Sequence, residues 1–330
     1  MTCQNKRVLL IAGGGTLGTY TARELLRLGC TVEVICPEEK QSDHERLIFH
    51  QSLATDELLS ALFEKTHYDG IVNFIHYKDP EEYKRVHPLL MKGTDHLIFL
   101  SSYRVYADEQ HPITEDAPRL TEVVKDPVFL ETETYAVPKS KCEDFLRTAC
   151  AGQPWTIVRP VISFSDRRLD LLLYSGHDVI KYPQTGREML LPDTVRNYTA
   201  GIDWAGNSGK LIAHLLFKPE ALGEAFTVYS GHGMTWGQVA EAYAELTGVR
   251  IQWCSEEEYV QNTAKIRKEP WMWCYDRKFN RDIDCSKILQ VTGLNAKDFL
   301  SVREGIAAEL AVIAAQTDRA GRLSRLQKIH

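Results

Sequence analysis

A tyrosine and a lysine four positions apart are the residues of this chain best suited to proton transfer. Tyr135 and Lys139 belong to the segment Tyr-Ala-Val-Pro-Lys, and at this spacing two side chains share one face of a helix. A free tyrosine, with a pKa of about 10, is a weak base at neutral pH, but a lysine ammonium nearby would stabilise its phenolate. Tyr135 is therefore a candidate acid/base for a carbonyl or an alcohol. Because Pro138 is tolerated only in a first helical turn, we expect the helix to begin close to Tyr135.

A serine pair at the end of a predicted strand decides how this tyrosine and lysine are interpreted. On its own, such a pair is common on helix faces, and a solvated face would be the simpler interpretation. Residues 96–100 predict a strand that delivers Ser101 and Ser102 to its carboxyl end, the edge at which doubly wound sheets bind ligands. Ser102 is a candidate hydrogen-bond partner of the reacting oxygen. The serine position and a glycine-rich turn near the amino terminus favour a catalytic site.

The glycine-rich turn lies between a predicted strand and a predicted helix. Gly13-Gly14-Gly15-Thr16-Leu17-Gly18 fits the pattern G-x-G-x-x-G within a βαβ unit. Gly13 would allow the tight turn, Gly15 would let a pyrophosphate approach the backbone, and Gly18 would let helix and strand pack closely. Thr16 and Leu17 open the helix, whose amino terminus attracts anions. A plain connecting turn is the alternative, and the position in the first βα unit favours a dinucleotide site.

The end of the second predicted strand bears on the choice between NAD and NADP. The dinucleotide pattern expects an acid there for a ribose 2′-hydroxyl, or a nearby arginine for a 2′-phosphate. This chain has Cys36-Pro37, followed by Glu38, Glu39 and Lys40. Either glutamate could replace the acid and would repel a 2′-phosphate, although two solvated loop carboxylates explain the pattern equally well. The sequence therefore favours NAD as the cofactor without excluding NADP. Cys36, at the end of the strand, is a candidate cofactor-binding residue.

The elements that must position these residues alternate between strands and helices. Strands are predicted over residues 8–12, 31–36, 70–75, 96–100, 155–158 and 226–229, and helices over 56–65, 80–91, 135–149, 203–217, 235–247 and 299–315. Repeated βα units predict an α/β fold with a Rossmann-like, doubly wound parallel sheet and a smaller C-terminal α/β substrate lobe. We assign residues 1–165 to the Rossmann domain, with a returning segment over about 196–230, and residues 166–195 and 231–330 to the substrate lobe.

Composition excludes several classes of protein. The net charge is −6 and no run of basic residues occurs, so the electrostatic signature of nucleic-acid binding is missing. The eight cysteines contain no Cys-x-x-Cys pair and no zinc-like spacing, which predicts reduced thiols and no metal site. No apolar run approaches the ~18 residues of a membrane span, and no secretory signal is recognisable. We expect a cytoplasmic protein that binds neither nucleic acid nor membrane.

These motifs resemble those of the extended, or atypical, short-chain dehydrogenases/reductases, a family that includes NAD-dependent sugar epimerases and dehydratases. The resemblance covers nearly the whole chain. The family's "SSxxVYG" strand end corresponds to residues 101–107, with Ala107 where glycine is usual, and its "YxxxK" pair corresponds to Tyr135 and Lys139. Arg159-Pro160 matches an "RP" turn, and residues 284–287 match "D-x-S-K" near the carboxyl end.

The resemblance implies roles for individual residues. Tyr135 would be the acid/base, Lys139 its modulator and a ligand of the cofactor ribose, and Ser102 the partner of the substrate oxygen. It places Asn73 and Ile75 in the groove on the nicotinamide side of the cofactor. It also implies a homodimer that associates through helices beside the Tyr135 segment.

A second motif implies a site for a substrate anion. Residues 195–198 and 202–205 resemble the "VRDY…DLA" stretch of UDP-galactose epimerase-like members, whose arginine grips the nucleotide diphosphate. Arg196 is the corresponding residue, and a guanidinium suits phosphate oxygens. A solvated ion-pair partner is the alternative for a surface arginine.

Departures from the family pattern narrow the expected chemistry. Members that dehydrate sugars carry Asp-Glu immediately after the Ser/Thr position, where this chain has Tyr103 and Arg104, so sugar dehydration is not expected. Ala12 replaces the family's first glycine, and Ser52 stands where an acid near the adenine is usual.

The sequence thus predicts an NAD(P)-dependent oxidoreductase or an epimerase, a type of isomerase. It would act on a secondary alcohol or ketone of a small-molecule substrate such as a nucleotide sugar. The alternative is a cofactor-sensing module or an RNA-associated protein of the same fold. The joint presence of Ser102, Tyr135 and Lys139 argues against this alternative.

Overall fold

The computed structural model describes residues 3–327 and divides them into two compact units. Unit 1 comprises the described residues up to Ser163, together with Ala205–Gly231 and Arg281–Phe299. Unit 2 comprises Phe164–Trp204, His232–Asn280 and the chain from Leu300 onward.

The strands and helices follow the predicted alternation through the first half of the chain. The strands are β1 (Arg7–Ile11), β2 (Thr31–Cys36), β3 (Leu47–Gln51), β4 (Gly70–Asn73), β5 (Leu97–Leu100), β6 (Trp155–Pro160), β7 (Ile162–Phe164), β8 (Glu188–Pro192), β9 (Ile202–Trp204), β10 (Glu224–Val228) and β11 (Arg250–Cys254). The helices are α1 (Thr16–Arg27), α2 (Asp56–Lys65), α3 (Pro80–Lys92), α4 (Leu120–Val123), α5 (Pro127–Thr132), α6 (Ala136–Ala149), α7 (Gly176–Thr185), α8 (Ala205–Leu215), α9 (Trp236–Thr247), α10 (Glu256–Asn262), α11 (Ala264–Lys268), α12 (Pro270–Met272), α13 (Ser286–Thr292) and α14 (Val302–Gln327).

Unit 1 is built on a seven-stranded sheet in which every neighbouring pair is parallel. The order is β10-β6-β5-β4-β1-β2-β3. From β3 to β6 this is the strand order 3-2-1-4-5-6 of dinucleotide-binding sheets, with β10 added beside β6. The strands β1, β4 and β6 are almost wholly buried, as expected for a parallel sheet covered by helices on both faces. The predicted Rossmann-like fold is confirmed.

Unit 1 is completed by chain segments that return after residue 204. Helix α8 packs against α1 so closely that a Cβ atom on Gly209 would lie 2.6 Å from the backbone carbon of Tyr20. The segment Arg281–Phe299, predicted to lie in the substrate lobe, belongs to unit 1. Lys287 of this segment donates to the carbonyl of Ala225 at 2.9 Å, which fastens α13 beside β10.

Unit 2 combines the remaining helices with a small sheet. Its strands β8 and β11 pair in parallel, and α14 packs against α9. The buried carboxylate of Glu309 accepts hydrogen bonds from the backbone N–H of Asp166 at 2.8 Å and the indole of Trp204 at 2.6 Å. Among the described helices of both units, none has the length and apolar character needed to cross a bilayer.

Candidate active site

The glycine turn joins β1 to α1, and its glycines are required for different reasons. Ala12 opens the turn with a φ of +54°. A Cβ atom on Gly18 would lie 2.2 Å from the carbonyl oxygen of Gly13, so strand and helix pack here backbone to backbone. A Cβ atom on Gly15 would have no neighbour within 4 Å. Open space at Gly15, directly before the first residue of α1, suits a ligand phosphate at a helix amino terminus.

Three side chains at the end of β2 and just after it lie at the same turn. Cys36 is buried, and burial raises the pKa of its thiol. A carboxylate oxygen of Glu38 would lie 2.8 Å from a Cβ atom on Gly14, and the ammonium of Lys40 donates to the Gly14 carbonyl at 2.5 Å. The sequence left Glu38 and Glu39 as equal candidates for the ribose, and the structure brings Glu38 to the turn.

Asn73 and Ile75 lie where β4 ends. Asn73 is fully buried, and its amide donates to the hydroxyl of Tyr77 at 2.9 Å and accepts from the backbone N–H of Ile75 at 3.1 Å. Both polar groups of the Asn73 side chain therefore shape the turn after β4. The half-buried Ile75 lies on this turn.

Ser102 follows β5 and begins a short 3₁₀ turn over Tyr103–Val105. Its side chain is buried, and its hydroxyl oxygen accepts a hydrogen bond from the backbone N–H of Arg104 at 3.2 Å. Because Ser102 comes two residues after the end of β5, it stands at the carboxyl edge of the parallel strands, as predicted.

Tyr135 and Lys139 occupy the start of α6. Tyr135 immediately precedes the helix, and Pro138 falls in the first turn, as predicted. The buried Lys139 ammonium donates to the carbonyl of Leu100 at 2.5 Å and lies 5.5 Å from the centre of the Tyr135 ring. Burial lowers the pKa of Lys139, while the negative charge that Tyr135 would carry when ionised opposes this change. The carbonyl of Leu100 thus joins the helix to the strand that carries Ser102.

Two residues that sequence reasoning did not select hold this tyrosine. The buried Glu133 accepts hydrogen bonds from the backbone N–H groups of Tyr135 and Val137, both at 2.9 Å. Its other oxygen lies 3.3 Å from the Arg104 guanidinium, whose central carbon is 4.7 Å from the centre of the Tyr135 ring. An acid just before a predicted helix start was a usable signal for Glu133, since carboxylates accept from first-turn N–H groups.

A histidine contacts the same ring. The imidazole of His76 lies 4.8 Å from the Tyr135 ring, centre to centre, and its Nε2 is 2.9 Å from the carbonyl oxygen of Thr134. A carbonyl can only accept, so Nε2 carries the proton. Burial, followed by the charge of Lys139, lowers the pKa of His76 and keeps the ring neutral at neutral pH.

Arg196 belongs to unit 2, on the turn after β8. Its side chain is half exposed, and its guanidinium carbon lies 4.9 Å from the centre of the Trp253 ring on β11. A carboxylate oxygen of Asp193 lies 3.8 Å from the guanidinium. The backbone carbonyl of Arg196 accepts from Gly237 at 2.8 Å. Trp253 therefore supports the guanidinium by a cation–π contact that no sequence motif indicated.

Comparison with known proteins supports the dinucleotide-binding fold. Residues 1–92 match a family model described as "Putative NAD(P)-binding". The structure of the epimerase Mth375 from Methanothermobacter thermautotrophicus aligns with a TM-score of 0.68 at 16% identity, over 97% of this chain and 95% of that chain. The Bordetella bronchiseptica enzyme WbmG, crystallised with NAD and UDP, aligns with a TM-score of 0.66 at 19% identity, over 94% of each chain. The chain therefore shares the fold of these two enzymes.

WbmF, a second Bordetella bronchiseptica enzyme, was crystallised with NAD+ and UDP. It aligns with a TM-score of 0.63 at 15% identity, over 98% of this chain and 97% of that chain. No curated protein matches the sequence. The identities are low, so the solved structures establish the fold alone, and function has to be argued from the site.

Proposed function

We propose that this chain is an NAD-dependent epimerase or oxidoreductase in which Tyr135 exchanges a proton with a secondary alcohol or ketone. The observation that carries this proposal is the convergence of three side chains within unit 1. Ser102 follows β5, Tyr135 immediately precedes α6, and Lys139 is hydrogen bonded to the last carbonyl of β5. Proton transfer needs a donor or acceptor held within reach of the reacting oxygen, and this group of residues can supply it.

The glycine turn fits NAD. Gly15 leaves room for a pyrophosphate at the start of α1, and Glu38 lies where a carboxylate can accept from a ribose hydroxyl. Gly13 to Gly18, Cys36, Asn73 and Ile75 are the residues proposed to hold the cofactor, with Lys139 and Tyr135 at its nicotinamide end. When bound, the cofactor supplies hydride chemistry.

The chain's own residues supply the proton chemistry. The Tyr135 hydroxyl gives a proton to a carbonyl, or its phenolate takes one from an alcohol. The Lys139 ammonium stabilises the phenolate through its positive charge, and Ser102 holds the substrate oxygen by a hydrogen bond. Sugar dehydration would need an acid pair after Ser102, but Arg104 pairs with Glu133 and Tyr103 is buried.

A nucleotide sugar is the substrate class that we propose. WbmF and WbmG were crystallised with UDP, and Arg196 offers a half-exposed guanidinium suited to phosphate oxygens.

The homodimer implied by the family resemblance is proposed as well, and sedimentation of the purified protein tests it.

The test begins with nucleotide binding. Calorimetry with NAD+, NADH, NADP+ and NADPH, together with analysis of any nucleotide that co-purifies, measures whether and which cofactor binds. Interconversion of UDP-glucose and UDP-galactose, and of the corresponding N-acetylhexosamines, is then followed with the NAD-loaded protein, and reduction of ketones is followed with NADH.

Tyr135→Phe distinguishes an enzyme from a cofactor-sensing protein. This variant should lose at least about 1,000-fold in turnover while binding NAD normally, because only the phenol oxygen is removed. Tyr20→Phe, on the half-exposed middle of α1, is the matched control and should retain full activity. Undiminished turnover in Tyr135→Phe would refute the assignment of Tyr135 as the acid/base. NAD binding by the wild-type protein without any turnover would favour the cofactor-sensing alternative.

A further inference from the structure

The ion pair between Arg104 and Glu133 connects the two elements that carry the proposed catalytic side chains. Arg104 lies two residues after Ser102, on the turn that follows β5, and Glu133 lies two residues before Tyr135, ahead of α6. Their side chains meet at 3.3 Å and are 15% and 4% exposed. Contacts of this pair extend to both catalytic residues.

Glu133 fixes the backbone of Tyr135. Its one oxygen accepts two N–H groups, those of Tyr135 and Val137, at the point where the helix begins. Tyr135 itself has φ −125° and ψ −66°, outside the helical range, so its conformation depends on contacts other than the helix's own hydrogen bonds. A buried carboxylate with two N–H donors and a guanidinium partner is a strong anchor.

Arg104 fixes the ring of Tyr135 and the hydroxyl of Ser102 at the same time. Its guanidinium packs over the Tyr135 ring at 4.7 Å, and its backbone N–H donates to the Ser102 hydroxyl oxygen at 3.2 Å. A lysine could keep the charge of Arg104, but it lacks the planar group that covers a ring and engages a carboxylate together.

We propose that Arg104 and Glu133 are positioning residues that set the Tyr135 phenol relative to the Ser102 hydroxyl. This inference rests on the proposed function, in which one substrate oxygen contacts both groups. Neither residue of the pair exchanges a proton, and Glu133 balances the charge of Arg104. Misplacement of a catalytic group by about 1 Å costs on the order of 100-fold in rate, so a distortion too small to unfold the protein is enough.

The experiment uses the full-length, NAD-loaded protein with Arg104→Met, Arg104→Lys, Glu133→Gln and the Arg104→Met/Glu133→Gln double variant. The control is Arg27→Met, which breaks an arginine–glutamate pair at the far end of α1. For the nucleotide sugar that wild type turns over, we expect Arg104→Met and Glu133→Gln each to lower kcat by about 10- to 100-fold. KM and the Kd of NAD+ should stay within about twofold, and Arg104→Lys should be intermediate.

The double variant tests whether the pair acts as a unit. If it does, the double variant is about as slow as the worse single variant, because the second substitution finds nothing left to break. Losses that multiply, a change confined to KM, or an equal loss in Arg27→Met would overturn the proposal.

A second measurement needs no substrate. The protein is labelled with 3-fluorotyrosine, and the Tyr135 resonance is identified by its absence from Tyr135→Phe. Arg104→Met should shift or split this ¹⁹F resonance, whereas Arg27→Met should leave it unchanged. If wild type binds NAD+ and turns nothing over, the proposed function fails, and the ¹⁹F result alone decides whether the pair positions Tyr135. An unchanged resonance overturns the inference.

Discussion

His96 should make unit 1 lose stability in mild acid. The side chain is 3% exposed just before β5, its Nε2 lies 2.8 Å from the hydroxyl oxygen of Thr156, and its Nδ1 accepts from the backbone N–H of Phe217 at 3.2 Å. The Thr156 hydroxyl donates to the carbonyl of Ala221, so its oxygen accepts the Nε2 proton. The ring is therefore neutral, with its one acceptor occupied, and burial lowers the pKa of His96 to about 4 from 6.5.

The sign of the effect follows from proton uptake. Between the two pKa values the unfolded chain binds a proton at this histidine and the folded chain does not, so stability is present above pH 6.5 and is lost as pH falls toward about 4. One pKa unit corresponds to about 1.36 kcal/mol, so the full loss is about 3 kcal/mol, and the loss from about pH 7 to about pH 5 is about 2 kcal/mol.

His96→Asn removes the titrating ring and keeps an acceptor close to the position of Nδ1. Urea unfolding followed by circular dichroism at about pH 7 and about pH 5 gives the pH-dependent difference in unfolding free energy for each protein. The cavity left by the substitution lowers the free energy of unfolding equally at both pH values, so it cancels in this difference. We expect the difference to shrink by about 2 kcal/mol in the variant. An identical pH dependence in both proteins would refute this role of His96.

Three further predictions concern ligand binding. Gly15→Ala should abolish NAD+ binding in calorimetry while leaving the unfolding midpoint nearly unchanged. Gly18→Ala should abolish binding and also lower the free energy of unfolding by about 3 kcal/mol, because its Cβ would meet backbone atoms. Glu38→Ala should raise the Kd of NAD+ about tenfold and reduce the preference of the protein for NAD+ over NADP+. Glu39→Ala should leave the Kd of both nucleotides unchanged. Trp253→Leu should weaken UDP binding about threefold through loss of the cation–π support of the neighbouring guanidinium, and an unchanged Kd for UDP would contradict that role.

Local patterns encode the parts of the site that the sequence predicted. The glycine turn is recognisable because steric demands at Gly13 and Gly18 act within one βα unit. Strand β5 and helix α6 have strong periodic patterns, and these patterns alone are enough to locate Ser102 and Tyr135 at the ends of the two elements. Sequence was sufficient wherever a residue of the proposed site lies at the end of one regular element.

Parts that depend on distant contacts were beyond sequence reasoning. A lone histidine such as His76 is more often packed or solvated than catalytic, and its contact with Tyr135 depends on how the β4 turn meets the start of α6. Arg104 and Glu133 are 29 positions apart and share no motif. Strand β3 was not predicted, because its apolar run is only three residues long, Leu47 to Phe49, and is followed by the polar residues His50 and Gln51.

Domain assignment from sequence met a related difficulty. Residues 281–299 have only one short helix, α13, and a turn, which do not reveal the unit in which they pack. Their attachment to unit 1 rests on contacts such as that of Lys287 with β10. A local sequence pattern does not indicate such long-range contacts.

The order in which the seven-stranded sheet is assembled has a consequence for synthesis on the ribosome. Strands β1 to β6 have all been translated by Pro160. Strand β10, which covers the edge of β6, follows more than sixty residues later, after the whole of unit 2's first segment. Until then, the fully buried strand β6 presents unpaired backbone groups, a feature that promotes aggregation. A nascent chain paused between these points is the form of this protein most in need of a chaperone.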